Sequence, residues 1–190
     1  MKVMLIRHGK TEANEKHLYC GSTDLPLSPK GRAELKAGSY GYPQARYATS
    51  GRKRTEETLR LLFGEQPHTV LAGFREVDFG AFEMKSYALL KDDPAYQEWI
   101  TGDNEAKAPP GGESGQAMTA RVLTAWKNLE ITGEDWVLIT HGGVIAAIMG
   151  GLFPEEGKNR YQWQPKPGEG YCLEKEEGSW AYAPVFLSKK

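Results

Sequence analysis

Two histidines stand in matching settings. His8 follows the apolar run Val3–Ile6 as Arg7-His8-Gly9, and His141 follows Trp136–Thr140 as His141-Gly142-Gly143. A short unbroken apolar run reads as a strand buried on both faces, and glycine permits a sharp turn after it. Each histidine therefore sits just past the carboxyl end of a strand, where open α/β sheets bind ligands. If the two strands are neighbours, the imidazoles meet. A neutral imidazole, whose ordinary pKa is ~6.5, is an available nucleophile near neutral pH. The planar fork of Arg7 suits the oxygens of a small anion. One histidine at a strand end is ordinary packing. Two at equivalent ends, each followed by glycine and one preceded by arginine, point to a site.

The elements that must position these residues follow from pattern. Ser28-Pro29 reads as an N-cap with proline at the first helical position, opening a helix to about Gly38. Tyr47-Ala48-Thr49 reads as a strand, Arg54–Phe63 as a helix with Leu59, Leu62 and Phe63 on one face, and 69–71 as another strand. The stretch 74–112 is polar and irregular, with Asp92-Asp93-Pro94 and Pro109-Pro110-Gly111-Gly112 as breaks, and is expected to hold one or two short helices. Residues 114–129 read as a long helix carrying Met118, Val122, Ala125, Trp126 and Leu129 on one stripe, and an apolar helix runs from Val144 to about Met149. Residues 168–174 and 180–186 form a hairpin across Glu177-Gly178. Strands alternating with helices predict an α/β three-layer sandwich, with a mainly parallel central sheet and helices on both faces. The expected organisation is a single domain over 1–190, with 74–112 as an insertion or lid over the site.

Composition narrows the partners. The 190 residues carry 24 Lys and Arg against 25 Asp and Glu, a net charge of −1, which argues against a nucleic-acid binder. A local cation cluster can still serve a small anion. Two cysteines, Cys20 and Cys172, are too few for a disulfide scaffold and favour a reducing compartment. The four histidines show no short-spaced ligand pair, so no structural metal is expected. No apolar run reaches the ~18 residues of a membrane span, and the start of the chain is too short for a signal peptide. The expectation is a soluble, cytoplasmic protein acting on a small molecule, with oligomeric state left open.

The motifs around the histidines resemble those of the histidine phosphatase superfamily, also called the phosphoglycerate mutase-like family. Arg7-His8-Gly9-Lys10-Thr11-Glu12-Ala13-Asn14 is similar to its R-H-G-x-T-x-x-N signature, and Ser50 to Thr58 to its S-x-x-x-R-x-x-x-T segment. Arg75-Glu76-Val77-Asp78-Phe79-Gly80 looks like its general-acid segment, and Gly111-Gly112-Glu113-Ser114 and Thr140-His141-Gly142-Gly143 match two further blocks in order. Together these span positions 7 to 143.

The resemblance implies His8, Glu76, His141, Arg7 and Arg54 as catalytic residues, with phosphate held by Arg7, Asn14, Gly21, Arg54, His141 and Gly142. His8 would attack phosphorus in line to give a phosphohistidine, with a backbone carbonyl orienting its other ring nitrogen. His141 would stabilise the transition state. Glu76 would protonate the leaving alkoxide and later activate water; Asp78 and Glu83 are alternative carboxylates. Phosphoryl transfer demands mainly positioning and charge stabilisation, so no metal or cofactor is implied. Taken alone, Arg54 reads as a solvated helix charge beside Arg52 and Lys53, and Asn14 equally as a cap; the family pattern turns both toward phosphate.

The sequence departs from the pattern at Lys10, where glutamate is common, at Gly51-Arg52, where Pro-Leu is common, and at Phe82-Glu83-Met84 in place of W-E-G. Lys10 either adds charge beside the pocket or is solvated. The segment Tyr19-Cys20-Gly21-Ser22-Thr23-Asp24-Leu25-Pro26-Leu27-Ser28 looks like the loop of the smaller phosphatases, especially those acting on α-ribazole 5′-phosphate. Gly21 there either admits a substrate to the backbone or makes a turn, and Cys20 has no neighbouring base to make it a nucleophile. Tyr87, Tyr96 and Trp99 either touch the leaving group or pack. The implied function is a metal-independent phosphomonoester hydrolase acting on α-ribazole 5′-phosphate or another small phosphorylated metabolite. The alternatives are a phosphoglycerate mutase and a catalytically silent phospho-ligand binding module.

Overall fold

A computed structural model describes residues 1–41 and 44–187. Six strands form one sheet in the order β3-β2-β4-β1-β5-β6: β1 Lys2–Arg7, β2 Arg46–Thr49, β3 His68–Val70, β4 Trp136–Thr140, β5 Gly170–Glu176 and β6 Ser179–Val185. β1, β2, β3 and β4 run parallel, and the β5–β6 hairpin adds antiparallel strands beside β1. β1 and β4 are neighbours, with Arg7 opposite Thr140. That register sets His8 and His141 one residue beyond the same end of the sheet.

The two faces follow from the period-2 alternation of side chains along a strand. Val3, Leu5 and Leu138 join one apolar cluster with Met118, Val122 and Ile145. Met4, Ile6, Val137 and Ile139 join the other with Leu59 and Leu62. Helices α6 (Gly115–Glu130) and α7 (Gly142–Leu152) supply the first cluster, and α3 (Lys53–Phe63) the second, so helices cover both faces. The remaining helices are short: α1 Glu12–Glu15, α2 Pro29–Glu34, α4 Tyr87–Leu90, α5 Pro94–Thr101 and α8 Arg160–Trp163.

Several boundaries differ from expectation. α2 ends at Glu34, not near Gly38, because Leu35 turns extended and buries itself with Leu27. Burying a leucine stabilises by about 1.5–3 kcal/mol, more than the few tenths each further helical residue would add. Gly38 then adopts φ +73°, outside the right-handed helix. α7 begins at Gly142 and runs through Gly150-Gly151 to Leu152, longer than expected at both ends, because its flank is anchored by buried Val144, Ile145, Ile148 and Met149. The stretch 74–112 has its own small cluster of Phe82, Leu90, Tyr96 and Trp99, with Tyr19 and Phe79 packed against it.

Candidate active site

The parallel ends of β1 and β4 bring the His8 and His141 rings to 5.2 Å between centroids, edge to face. Nδ1 of His8 lies 2.7 Å from the carbonyl oxygen of Gly9. A carbonyl can only accept, so in the neutral ring Nδ1 carries the proton and the lone pair is on Nε2. The neighbouring backbone is fixed too: the amide of His8 donates to Thr140, and that of Gly9 to Oγ1 of Thr58 at 2.9 Å. Burial, reinforced by Arg54 and Arg7, holds His8 well below the usual imidazole pKa despite its bond to Gly9. Burial and the same arginines, with His8 and Arg52, do the same to His141. Both rings are therefore neutral around pH 7 in the unliganded site.

Arg54 is on the buried stripe of α3 with Thr55, Thr58, Leu59 and Leu62, which separates it from Arg52 and Lys53. Its Nη1 and Nη2 donate to the carbonyls of Thr23 and Gly21 at 2.8 and 2.7 Å, and its Nε to Nδ1 of His141 at 3.3 Å. A guanidinium has five N–H groups, so two remain for an anion. Arg7 donates through Nη1 to the carbonyl of Pro165 at 2.9 Å, and its buried Nε has no partner. Burial lowers both arginines from their ordinary pKa, and Glu76 opposes that shift at each.

Glu76 reaches the same place from the loop after β3. Its Oε2 accepts from the amide of Gly143 at 2.9 Å, and its Oε1 from the amide of Val77 at 3.0 Å. A Cβ on Gly143 would stand 2.4 Å from Glu76 Oε1, so only glycine permits this approach. His141 is the N-cap of α7 without a side-chain cap, which leaves the positive end of that helix, including Gly142, directed into the site.

A cavity of about 550 Å³ adjoins this cluster. Of the expected residues, Arg7, Asn14 and Glu76 line it, together with Gly143 and Cys20. His8, Arg54 and His141 are not among its lining residues: His8 is 6% exposed, Arg54 1% and His141 fully buried. Neither Asp78 nor Glu83 lines it. Asp78 accepts from Ser22 Oγ and the amide of Gly80. Burial works to raise the Glu83 carboxyl, but hydrogen bonds from Thr23, Phe79, Ser22 and Gly21 outweigh it and hold it below the usual range. Glu83 is a clamp for the 21–23 loop.

Gly21 is placed differently from a phosphate contact. A Cβ there would fall 1.6 Å from the carbonyl oxygen of Val77, its amide is taken by Glu83, and its carbonyl receives Arg54. The close backbone approach is to the protein's own loop. Thr11 caps α1 and Asn14 completes the capping box, with Oδ1 accepting from the amide of Thr11 at 2.9 Å, and its amide NH2 is the side chain's remaining donor on the cavity wall. Lys10 pairs with Glu34 at 2.9 Å. Burial pushes the Cys20 thiol up, against the pull of Arg54. Trp99 lines the cavity while Tyr96 is buried beneath it, hydrogen-bonded to Tyr19 at 2.7 Å, and Tyr87 is exposed on its far side.

Some site residues had no sequence signal of their own. Ser50 and Thr58 fall in a quoted motif, yet only the fold shows Ser50 Oγ at Nε2 of His141, 2.8 Å away. Asn104, Glu105, Arg160, Tyr161 and Gln164 reach the cavity from the 74–112 stretch and α8, far apart in the chain. Among the described residues no group of three or more His, Cys, Asp or Glu could hold a metal ion.

The fold and site define an α/β protein with paired neutral histidines and two arginines at the carboxyl ends of its two central, parallel strands, an arrangement suited to a phosphoryl group. The chain belongs to the histidine phosphatase superfamily (branch 1), whose family model matches residues 3–185. The adenosylcobalamin/alpha-ribazole phosphatase of Salmonella typhimurium is 29% identical over 177 residues, covering 88% of this chain and 87% of that protein. A 2,3-bisphosphoglycerate-dependent phosphoglycerate mutase of Beijerinckia indica is 31% identical over 178 residues, covering 80% and 83%. A solved Escherichia coli structure, 23% identical, superimposes with a TM-score of 0.85 over 97% of this chain and 95% of that one, a likeness of fold. No helix among the described residues is long and apolar enough to cross a membrane.

Proposed function

We propose that the chain hydrolyses phosphomonoesters through a phosphohistidine on His8, without a metal. The observation that carries this is the neutral His8 ring, with Nδ1 tied to Gly9 and Nε2 left as the nucleophile. Nε2 gives its electron pair to phosphorus as the bond from phosphorus to the leaving oxygen breaks. Arg7, Arg54, Asn14 and the Gly142 end of α7 hold the non-bridging oxygens and the charge that builds on them, and His141 acts through Arg54, whose Nε it receives at Nδ1. Glu76 gives a proton to the leaving oxygen. In the second half Glu76 takes a proton from water, water oxygen attacks phosphorus, and the N–P pair returns to Nε2.

The cavity supports a leaving group without negative charge of its own. Besides Arg7 at the phosphate end, the cation on its lining is Arg160, and that guanidinium is already paired with Glu105 at 2.7 Å. Tyr19, Phe79, Trp99 and Tyr161 offer aromatic surface on the same wall. A nucleoside-like phosphate such as α-ribazole 5′-phosphate, the substrate in the name of the Salmonella relative, fits this better than phosphoglycerate, which brings a carboxylate. The free thiols of Cys20 and Cys172 are in keeping with a cytoplasmic location.

The test is phosphate release from α-ribazole 5′-phosphate, sugar phosphates, p-nitrophenyl phosphate and 3-phosphoglycerate, with and without EDTA, for wild type and His8→Ala. Release that survives EDTA and disappears in the variant is expected. Interconversion of phosphoglycerates without net release would make the chain a mutase, and no turnover at all a binding module.

A further inference from the structure

Glu76 is bracketed on both sides by one ion pair. On α6, Arg121 forms a two-pronged pair with Glu113: Nε to Oε1 at 3.0 Å and Nη2 to Oε2 at 2.7 Å. Its third nitrogen, Nη1, donates to the carbonyls of Gly73 at 2.9 Å and Arg75 at 3.1 Å, the residue directly before Glu76. On the other side, the amide of Glu113 donates to the carbonyl of Asp78 at 2.8 Å, two residues after Glu76. The segment 73–78 has no regular secondary structure beyond a single 3-10 turn, so its backbone carbonyls depend on such partners. Arg121 is 31% exposed and Glu113 22%, and the fork geometry fixes direction as well as distance.

We propose that Arg121, working with Glu113, is a positioning residue for the general acid, setting where the Glu76 carboxyl meets the leaving oxygen. This rests on the reading of Glu76 as that acid. Arg121 touches neither substrate nor reacting atoms; it acts through the carbonyls that flank Glu76. Lysine cannot replace it, because one ammonium cannot hold both carboxylate oxygens and two carbonyls in one plane.

The experiment compares kcat/KM for a poor leaving group, an alkyl phosphate, with that for p-nitrophenyl phosphate, whose phenolate departs without a proton. kcat/KM reports steps up to transfer of phosphoryl to His8, so later hydrolysis does not enter. A misplaced acid costs about 10²-fold. Arg121→Met should lose about that on the alkyl phosphate and less than about threefold on p-nitrophenyl phosphate. Glu113→Gln, which keeps the shape, should shift the ratio in the same direction, and this covers the case in which Arg121→Met does not fold. In the Glu76→Gln background, adding Arg121→Met should cost nothing further on the alkyl phosphate. Equal losses on both substrates, or losses that add to those of Glu76→Gln, would overturn the proposal and leave Arg121 a plain structural staple. If Glu76→Gln itself lowers both substrates alike, the acid assignment fails, and this proposal with it.

Discussion

Ser50 Oγ lies 2.8 Å from Nε2 of His141, while Nδ1 of the same ring faces Nε of Arg54 at 3.3 Å. Arginine can only donate, so Nδ1 accepts and Nε2 carries the ring proton. Ser50 therefore receives that proton's hydrogen bond and passes its own to Thr55 Oγ1 at 3.2 Å, which donates to the carbonyl of Arg52 at 2.7 Å. One run of donors fixes the tautomer of a fully buried ring.

Ser50→Ala breaks that run and strands a buried N–H. Leaving such a group unpaired costs about 1–3 kcal/mol. Urea unfolding should show a loss in that range, accompanied by lower kcat. An unchanged urea midpoint would mean that another acceptor takes over at Nε2.

The depressed histidines make stability depend on pH. In the unfolded chain both rings titrate near ~6.5, whereas burial and the arginines hold them well lower in the fold. Between the folded values and ~6.5 the unfolded chain binds more protons, so stability rises with pH there. The contribution is complete above that range and drains away as pH falls through it, by at most about 1.4 kcal/mol per pH unit for each ring. Urea midpoints followed from about pH 7 down to about pH 5 should fall, and His8→Asn should make the slope shallower. Parallel slopes for the two proteins would contradict a neutral, buried His8.

Gly21→Ala tests the loop behind Arg54. The added methyl would meet the Val77 carbonyl oxygen at 1.6 Å, a clash between two backbones that no rotamer relieves. Overpacking of this kind costs about 1–3 kcal/mol and sometimes more. Thermal melting should show a marked fall in Tm. Normal melting and activity would mean that the 19–23 loop moves freely relative to Val77.

His8→Ala should lower turnover by at least about 10³-fold, as removal of a nucleophile does. It should also abolish an acid-labile, base-stable phosphoprotein trapped by rapid quenching. A trapped phosphoprotein that persists in the variant would place the covalent intermediate on another side chain.

The end of the sheet that carries the two histidines is legible in the sequence because the signals are local. Val3–Ile6 and 136–140 are unbroken apolar runs, and a residue just past each falls at the same edge once the strands pair in parallel. Other features depend on contacts across long stretches of chain. Nothing near Glu83 announces that its carboxylate serves the amides of Gly21, Ser22 and Thr23, some sixty positions earlier. The end of α2 is not legible for a related reason: Leu35 answers to a core built from distant strands, and local helix preference has no access to that. Arg54 looked solvated beside Arg52 and Lys53, and only the packing of α3 decides which of the three cations turns inward.

The cluster formed by Phe82, Leu90, Tyr96 and Trp99 shares no buried member with the two clusters that flank the sheet, and Phe79 packs against both it and the first of them. The wall residues Trp99 and Ile100 thus belong to a packing unit other than the one that seats the histidines. Substitutions there should change which alcohol the cavity accepts while His8 and His141 keep their register. Laboratory evolution aimed at new phosphate esters should accordingly concentrate its accepted changes within 79–105, and libraries restricted to that window should outperform those spread over the whole gene.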